Sequence, residues 1–381
     1  MEQRGLKRIA FHLNCLEQGG AERVVSNLAN RFVQEGIEVY IATEWTGEDE
    51  FAIDERIRRV HVGLRAEDEH RNHLSKIRRR TRYLKEFLLE TKPDVLIAFA
   101  QKAIYRALMA EKGTDVPVVI SIRTDPAGHY ESLIDRFIIA RYFDRAAGCV
   151  YQTVGQKAFF KPHLQQNSRI ILNPVNEKYF DIRHPQVKEK SVVQHARLVD
   201  FKNQPMLVEA FVEVHKKHPD YVLRIYGPDS LDGTKEILED LIKQHRAEDY
   251  VFLMGGSDEL EKEIPKGEIY AFSSDWEGMP NSLLEAMAMG MPVVATDCPC
   301  GGPATVITHE ENALLVPIKD PHAMAEGINR LIEDKALAKK LGRNAARLKE
   351  ITNADVIFTQ WKEYLEEILC SHTKTTERSS D

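Results

Sequence analysis

No apolar run in the sequence approaches the roughly 18 residues that a membrane-spanning helix needs. Nothing at the start resembles the core of a signal peptide either, because the opening residues lead straight into a strand pattern. Five cysteines, odd in number and with no Cys-x-x-Cys spacing, give no disulfide framework, and the Cys298-x-Cys300 pair has no second pair with which to hold zinc. The cytoplasm is therefore the expected compartment. No basic block is interleaved with aromatic residues, so nucleic acid is not an expected partner. Gly-x-Gly-x-x-Gly is missing, as is a P-loop ending in Gly-Lys-Ser or Gly-Lys-Thr, which argues against the commonest dinucleotide and triphosphate loops. Asp-x-Asp is also missing, so no carboxylate pair stands ready to hold a divalent metal against a diphosphate. No repeat of 20–50 residues and no low-complexity tract is visible.

What is present describes an ordinary globular chain of 381 residues, 43% apolar and 29% charged. That length exceeds what one hydrophobic core usually serves, which predicts two domains. The net charge of −7 is uneven: residues 1–175 carry 27 Lys and Arg against 23 Asp and Glu, the remainder 25 against 36. A basic first half and an acidic second half predict different surroundings for the two domains.

Along the chain, continuous apolar segments alternate with amphipathic helical ones. KRIAFHLNCL, IEVYIAT, DVLIAFA, VPVVISI and AAGCVY read as strands of the first half, and SVVQHA, YVLRIYG, YVFLMGG, EIYAFSS and MPVVAT as strands of the second. Continuous apolar strands between helices predict parallel sheets covered on both faces. The pattern breaks around LNPVNEKYFDIRHPQ, which places an N-terminal domain over 1–175, a linker over 176–188 and a C-terminal domain over 189–352. A closing helix at about 353–370 is expected to return onto the first domain, and 371–381 to form a disordered tail. The fold class is thus α/β, two doubly wound Rossmann-like domains facing across a cleft, with ligands at the carboxyl ends of the strands.

Five stretches carry candidate chemistry. Gly19 and Gly20, in EQGGAERVV directly after the first strand, allow close backbone approach, and the helix beginning near Ala21 aims unpaired amides at an anion; a Gly-Gly turn is equally compatible with a plain connection. Arg197 and Lys202, in HARLVDFKNQ after the first strand of the second domain, combine a planar fork with a compact charge and suit a diphosphate, or are solvated surface cations. The stretch DWEGMPNSLLEAMAMGMPVVAT sets Glu277 and Glu285 around a turn of Gly278, Met279 and Pro280 that leads into a helix at Asn281 or Ser282. Here Ser282 and Glu285 have the spacing of a capping box, whereas Glu277 has no such duty and stands where a sugar hydroxyl would need an acceptor. Ser121, Arg123, Asp125 and His129 follow a strand in SIRTDPAGHY and make a polar loop suited to donor sugar or acceptor. Finally, HRNHLSKIRRRTRYLKEFLLE sets Leu74, Ile77, Leu84 and Leu88 at helical spacing among Arg71, Lys76, Arg78, Arg79, Arg80, Arg82 and Lys85; this is either a core-packed helix with a solvated cationic face or a helix for an anionic membrane surface.

These motifs together resemble the retaining glycosyltransferases of family 4, which have the two-domain GT-B fold. GGAER is similar to that family's first glycine loop, and Glu277-GMPNSLL-Glu285 with the following EAMAMGMPVVAT is similar to its Glu-x7-Glu signature; the likeness runs from about residue 7 to 368. It implies that Glu285 holds the ribose of a nucleotide, that Glu277 binds a donor-sugar hydroxyl, and that amides near Ser282 and Leu283 hold the diphosphate with Arg197 and Lys202. Gly20 would border the donor, Gly255 and Gly256 would lie beside the base, and the Ser121 to His129 loop would serve the acceptor. The sequence departs from the family at Ser121-Ile122-Arg123, where relatives often have Ser-Glu-His, so Arg123 is the candidate for part of that histidine's duty. It departs again at Ala196-Arg197, where Gly-Arg is common.

The implied activity is retaining transfer of a hexose or N-acetylhexosamine from a nucleotide sugar, UDP-linked, to a glycan acceptor. That acceptor is expected on a polyprenyl diphosphate, in polysaccharide or glycan biosynthesis. No metal or other cofactor is expected, and the location is cytoplasmic, peripheral at the inner face of the membrane. The rival readings are an epimerase or phosphorylase on the same architecture, a sugar-nucleotide-binding module without turnover, and an NAD-dependent dehydrogenase.

Overall fold

The computed structural model describes residues 5–17 and 19–378 of the chain. Packing divides it into two compact units: the residues up to Asn173 with those from Ile357 onward, and Pro174–Val356.

The first unit is built on a seven-stranded sheet of β1 (Arg8–Leu13), β2 (Glu38–Thr43), β3 (Arg58–His61), β4 (Val95–Phe99), β5 (Val118–Ser121), β6 (Gly148–Tyr151) and β7 (Ser168–Ile170). Its spatial order is β3-β2-β1-β4-β5-β6-β7, and every ladder is parallel. β1 shows why both faces must be covered. Ile9, Phe11 and Leu13 point into one apolar cluster while Ala10 points into the opposite one, and none of the four is exposed.

The helix Ala354–Arg378 lies on the Phe11 face. Trp361 is fully buried there and stacks on Phe99 at 5.9 Å, and Phe358 meets Phe32 edge-on at 4.8 Å. Trp361→Ala is expected to cost about 3–5 kcal/mol, the range for a large core aromatic, read as a fall in the denaturant midpoint. A loss under about 1 kcal/mol would mean that this helix does not hold the sheet. The same helix continues to Arg378, through most of the segment expected to form a tail. Once a helix is nucleated, each further residue needs only one more backbone bond, so polar residues can prolong it. Residues 379–381 of that expected tail lie outside the described residues.

The second unit carries β8 (Glu189–His195), β9 (Val222–Tyr226), β10 (Val251–Gly255), β11 (Gly267–Phe272), β12 (Val293–Thr296) and β13 (Leu314–Val316). They form a six-stranded sheet in the order β10-β9-β8-β11-β12-β13, again parallel throughout. Its order reverses between β8 and β11, as that of the first sheet reverses between β1 and β4. In open sheets of this kind the crevice outside the carboxyl ends of those strands is where a ligand fits without displacing a helix.

β3, β7 and β13 have no counterpart among the apolar segments of the sequence. All three are edge strands of three or four residues, and β3 and β7 contain no fully buried residue. An edge strand half-open to solvent needs no continuous apolar run, so β3 and β7 leave no such signal, whereas β13 is apolar throughout and is only too short to stand out.

Candidate active site

On the second unit, the β8/β11 switch point brings together two loops, residues 196–203 and 273–280. Gln194 Nε2 donates to Ser273 Oγ at 2.8 Å, and that hydroxyl donates to the carbonyl of Lys202 at 2.8 Å. Asn203 adopts a left-handed conformation (φ 46°) and caps the helix Gln204–Lys217 by accepting from the Met206 amide; its Nδ2 donates to Asp275 Oδ1 at 2.8 Å. Phe201 stacks on Trp276 at 4.4 Å. The loops are thus tied together by neutral donors and stacked rings, with the Asp275 carboxylate accepting from Asn203, and a charged pair also meets across them.

Those charged groups are Lys202 and Glu277. Lys202 Nζ makes an ion pair with Glu277 Oε1, and each side chain is 13% exposed. Ser274 Oγ donates to the same carboxylate oxygen at 3.3 Å. Arg197, in contrast, is exposed, and its carbonyl accepts from Gln204 Nε2 at 2.9 Å. It has no ion pair among the described residues, so the loop 196–203 carries both an exposed planar cationic fork and a largely buried ammonium group.

Following Glu277, the turn Gly278-Met279-Pro280 is buried. A Cβ on Gly302 would meet the Gly278 carbonyl oxygen at 2.0 Å, so a second backbone segment lies directly against the turn and fixes it. The helix Asn281–Ala288 starts from Pro280 with no side-chain cap. Its first intrahelical bond runs from the Leu284 amide to the Pro280 carbonyl at 3.2 Å. The amides of Ser282 and Leu283 precede that bond and have no acceptor within the helix, so they add partial positive charge at the end of the turn that follows Glu277. The far end closes as a Schellman motif: Gly290 is left-handed (φ 75°), its amide bonds the Met287 carbonyl, and the Met291 amide bonds the Ala286 carbonyl at 3.1 Å.

This geometry removes the capping-box reading of Ser282 and Glu285. Ser282 lies inside the helix rather than at its cap, and the Glu285 carboxylate accepts from His195 Nε2 at 3.0 Å, with both residues buried. His195 is the last residue of β8, and its carbonyl accepts from Tyr270 OH at 3.3 Å. The sequence reading did not single it out. Its signal was there in the polar Gln194-His195 pair that ends an otherwise apolar strand at the carboxyl edge. Cys298 is buried near this site, and burial raises its thiol pKa, with the nearby charge of Glu277 adding to the effect. Gly255 and Gly256 are exposed at the carboxyl end of β10, two strands from β8.

On the first unit, the helix Gly20–Gln34 begins after Gly19, again with no side-chain cap, although an acidic residue, Glu22, stands in its first turn. Burial raises the Glu22 pKa. Gln18 of the same motif lies outside the described residues. Ser121, at the end of β5, is buried and its hydroxyl accepts from Arg123 Nε at 2.8 Å. Arg123 donates to Asn173 Oδ1 at 2.8 Å through Nη1 and lies over Phe99 and Trp361 at 5.3 and 5.6 Å. Burial pulls its pKa down, and Nη2 is enclosed without a hydrogen-bond partner. Arg123 therefore joins the closing helix to the carboxyl end of β5. Asp125 is buried and caps the short turn Pro126–His129 by accepting from the Ala127 amide at 3.0 Å, while His129 is exposed. Among the described residues, no three or more His, Cys, Asp or Glu side chains are grouped as a metal site would be.

Two doubly wound parallel-sheet units in series are the architecture of the GT-B fold, and the chain superimposes on HepE of Anabaena, crystallised in complex with UDP, with a TM-score of 0.80 at 18% identity over 95% of this chain and 100% of that one. The chain belongs to the glycosyltransferases of group 1 and family 4: the model of glycosyl transferases group 1 matches residues 175–348, and that of Glycosyltransferase Family 4 matches residues 18–178. Among curated proteins it is similar to an exopolysaccharide phosphotransferase of Streptomyces coelicolor, 37% identical over 182 residues, which are 47% of this chain and only 19% of that protein. It is also similar to the N-acetylgalactosamine-N,N'-diacetylbacillosaminyl-diphospho-undecaprenol 4-alpha-N-acetylgalactosaminyltransferase of Campylobacter jejuni, 26% identical over 67% of this chain and 71% of that one.

Proposed function

We propose that the protein transfers a hexose or N-acetylhexosamine from a UDP-sugar to a glycan carried on a polyprenyl diphosphate, with retention at the anomeric carbon and without a metal ion. The observation that carries the donor half is the Lys202–Glu277 pair, with Arg197 exposed in the same loop as Lys202, an uncapped helix start following Glu277, and Glu285 a turn further along that helix. Cations and amides of this kind stabilise a departing diphosphate where no metal does so. Glu285 accepts from the ribose hydroxyls, Glu277 accepts from a hydroxyl of the donor sugar, and Gly255 and Gly256 border the base. Gly19, Gly20 and the Ser121 to His129 loop serve the sugar and the acceptor. The acceptor class is supported by the relative from Campylobacter jejuni, whose name specifies a diphospho-undecaprenol substrate.

In the reaction the acceptor hydroxyl oxygen bonds to the anomeric carbon as the bond from that carbon to the diphosphate breaks. The acceptor proton passes to the departing β-phosphate oxygen, on the same face. Lys202 and the Ser282 and Leu283 amides take up the charge that develops on the leaving group.

The test is turnover of UDP-sugars with a polyprenyl-diphosphate glycan, followed by NMR of the new anomeric centre. The donor's configuration is expected to be kept, and inversion would overturn the mechanism. Initial rates are expected to be unchanged by EDTA. A loss of activity that Mg²⁺ or Mn²⁺ restores would show that the cations of this site do not suffice.

A further inference from the structure

Exposed large apolar side chains normally stand singly on a surface. In the first unit five of them fall within one short stretch: Leu133 (83% exposed), Ile134 (70%), Phe137 (65%), Val154 (67%) and Phe159 (44%). The first three belong to the helix Leu133–Tyr142, which is capped by Ser132 and contains no fully buried residue. Along its inner side Ile138, Ile139 and Tyr142 are partly buried against the core, so the outward side is apolar as well. A helix apolar on both sides is one that expects a second apolar medium.

Buried aromatic rings link Phe159 to this helix. Phe159 packs on Tyr130 at 6.5 Å and on Phe160 at 5.1 Å, and Phe160 stacks at 5.6 Å on Phe143, which ends the helix. Lys161 Nζ reaches the Ala140 carbonyl at 3.4 Å.

Its charges point to one occupant. Arg136 and Arg141 are exposed and form no ion pair among the described residues, nor does Lys157 on the neighbouring short helix. Of the nearby acids, Asp135 is turned inward, accepting from Tyr105 OH at 2.7 Å and Gln101 Nε2 at 3.0 Å, and Asp144 is paired with Lys161 at 3.2 Å. Glu131 stands exposed at the start of the helix. A face that presents apolar side chains between unpaired arginines repels a second copy of itself and matches anionic headgroups over an acyl layer.

The cationic helix singled out in the sequence, His73–Thr91, offers less: of its four spaced apolar residues only Leu74 is exposed. Its Leu84 and Leu88 are buried, and Arg71 and Arg79 are held by Asp68 and Arg80 by Glu44. Position favours the Leu133 helix too, because the chain leaves β5 at Ser121 and reaches Ser132 through the Asp125-capped turn, directly after the loop assigned to the acceptor.

We infer that the helix Leu133–Tyr142, with Val154 and Phe159 beside it, docks the protein on an anionic lipid bilayer, inserting Leu133, Ile134 and Phe137 while Arg136 and Arg141 meet the headgroups. This rests on the reading that the acceptor is lipid-linked. The experiment is flotation of the full chain with phosphatidylcholine vesicles, with and without phosphatidylglycerol, at low and high salt. Wild type is expected to float with the anionic vesicles and to be released by salt. Leu133→Ser with Phe137→Ser is expected to lower partitioning at least about tenfold, and Arg136→Gln with Arg141→Gln by about fivefold per charge at low salt.

Wild type that stays soluble with anionic vesicles, or an apolar double variant that floats as well as wild type, would overturn the inference. So would light scattering that shows a wild-type dimer which the apolar variant converts to monomer. If that variant loses its melting transition, Phe159→Ser carries the same expectation from the neighbouring helix. Vesicle binding is measured without donor, so its failure is separable from a failure of the transferase reading, which turnover reports.

Discussion

Glu285→Ala is expected to abolish the rise in melting temperature that UDP gives the wild-type protein. A ligand at about a hundred times its dissociation constant stabilises its target by roughly 2.7 kcal/mol. Hydrogen bonds to a charged acceptor are worth about 1.5–3 kcal/mol each, so losing a pair of ribose contacts weakens binding by at least about a hundredfold and removes the shift. The substitution also has a cost without ligand. His195 Nε2 is buried and donates to this carboxylate, and an orphaned buried donor costs about 1–3 kcal/mol. Differential scanning fluorimetry separates the two effects. A lower baseline with no UDP shift supports nucleotide binding by Glu285. A lower baseline with the shift intact would mean that Glu285 serves only to hold β8 against the Asn281 helix.

The second large effect is expected at the Lys202–Glu277 pair. In the ligand-free arrangement the ammonium group is held by the carboxylate, so both of the groups proposed to act on the donor are engaged with each other. In the proposed reaction, donor binding would place a diphosphate against Lys202 and free Glu277 to accept from a sugar hydroxyl. Removing a preorganised group that meets developing charge typically lowers turnover by about 10²–10³-fold, and this is the loss expected in kcat/KM for Lys202→Met and for Glu277→Gln. Each single change also leaves a partly buried charge without its partner, which costs up to about 3–5 kcal/mol for full burial and less at this accessibility. The double variant is therefore expected to lose less than the product of the two single losses, because the second change removes the charge that the first one stranded. Losses below about tenfold in both single variants, from initial rates, would remove the pair from the chemistry.

Much of this protein was legible in its residues. The alternation of continuous apolar strands with helices specified two parallel sheets, because a strand buried on both faces must be apolar at every position, and that requirement is local. It failed at β3 and β7, half-exposed edge strands whose sequences carry no such run, and at β13, which is apolar and largely buried but only three residues long. Glu277, the Gly278 turn and the helix start were placed by spacing alone, since all of them lie within one loop and one helical turn.

Groups that meet through the sheet were another matter. His195 and Glu285 are 90 residues apart, and Lys202 and Glu277 are 75 apart. These pairs exist because the strand order brings β8 beside β11. The sequence alone left Glu285 divided between a cap and a ligand, and Lys202 between a phosphate group and a surface charge. Likewise, helical spacing found the cationic helix but could not tell which of its arginines Asp68 and Glu44 would take. Nor could it show that Leu133, Ile134 and Phe137 would remain exposed. Apolar periodicity records which residues can be buried. Which of them are buried depends on partners that only the packed fold brings into contact.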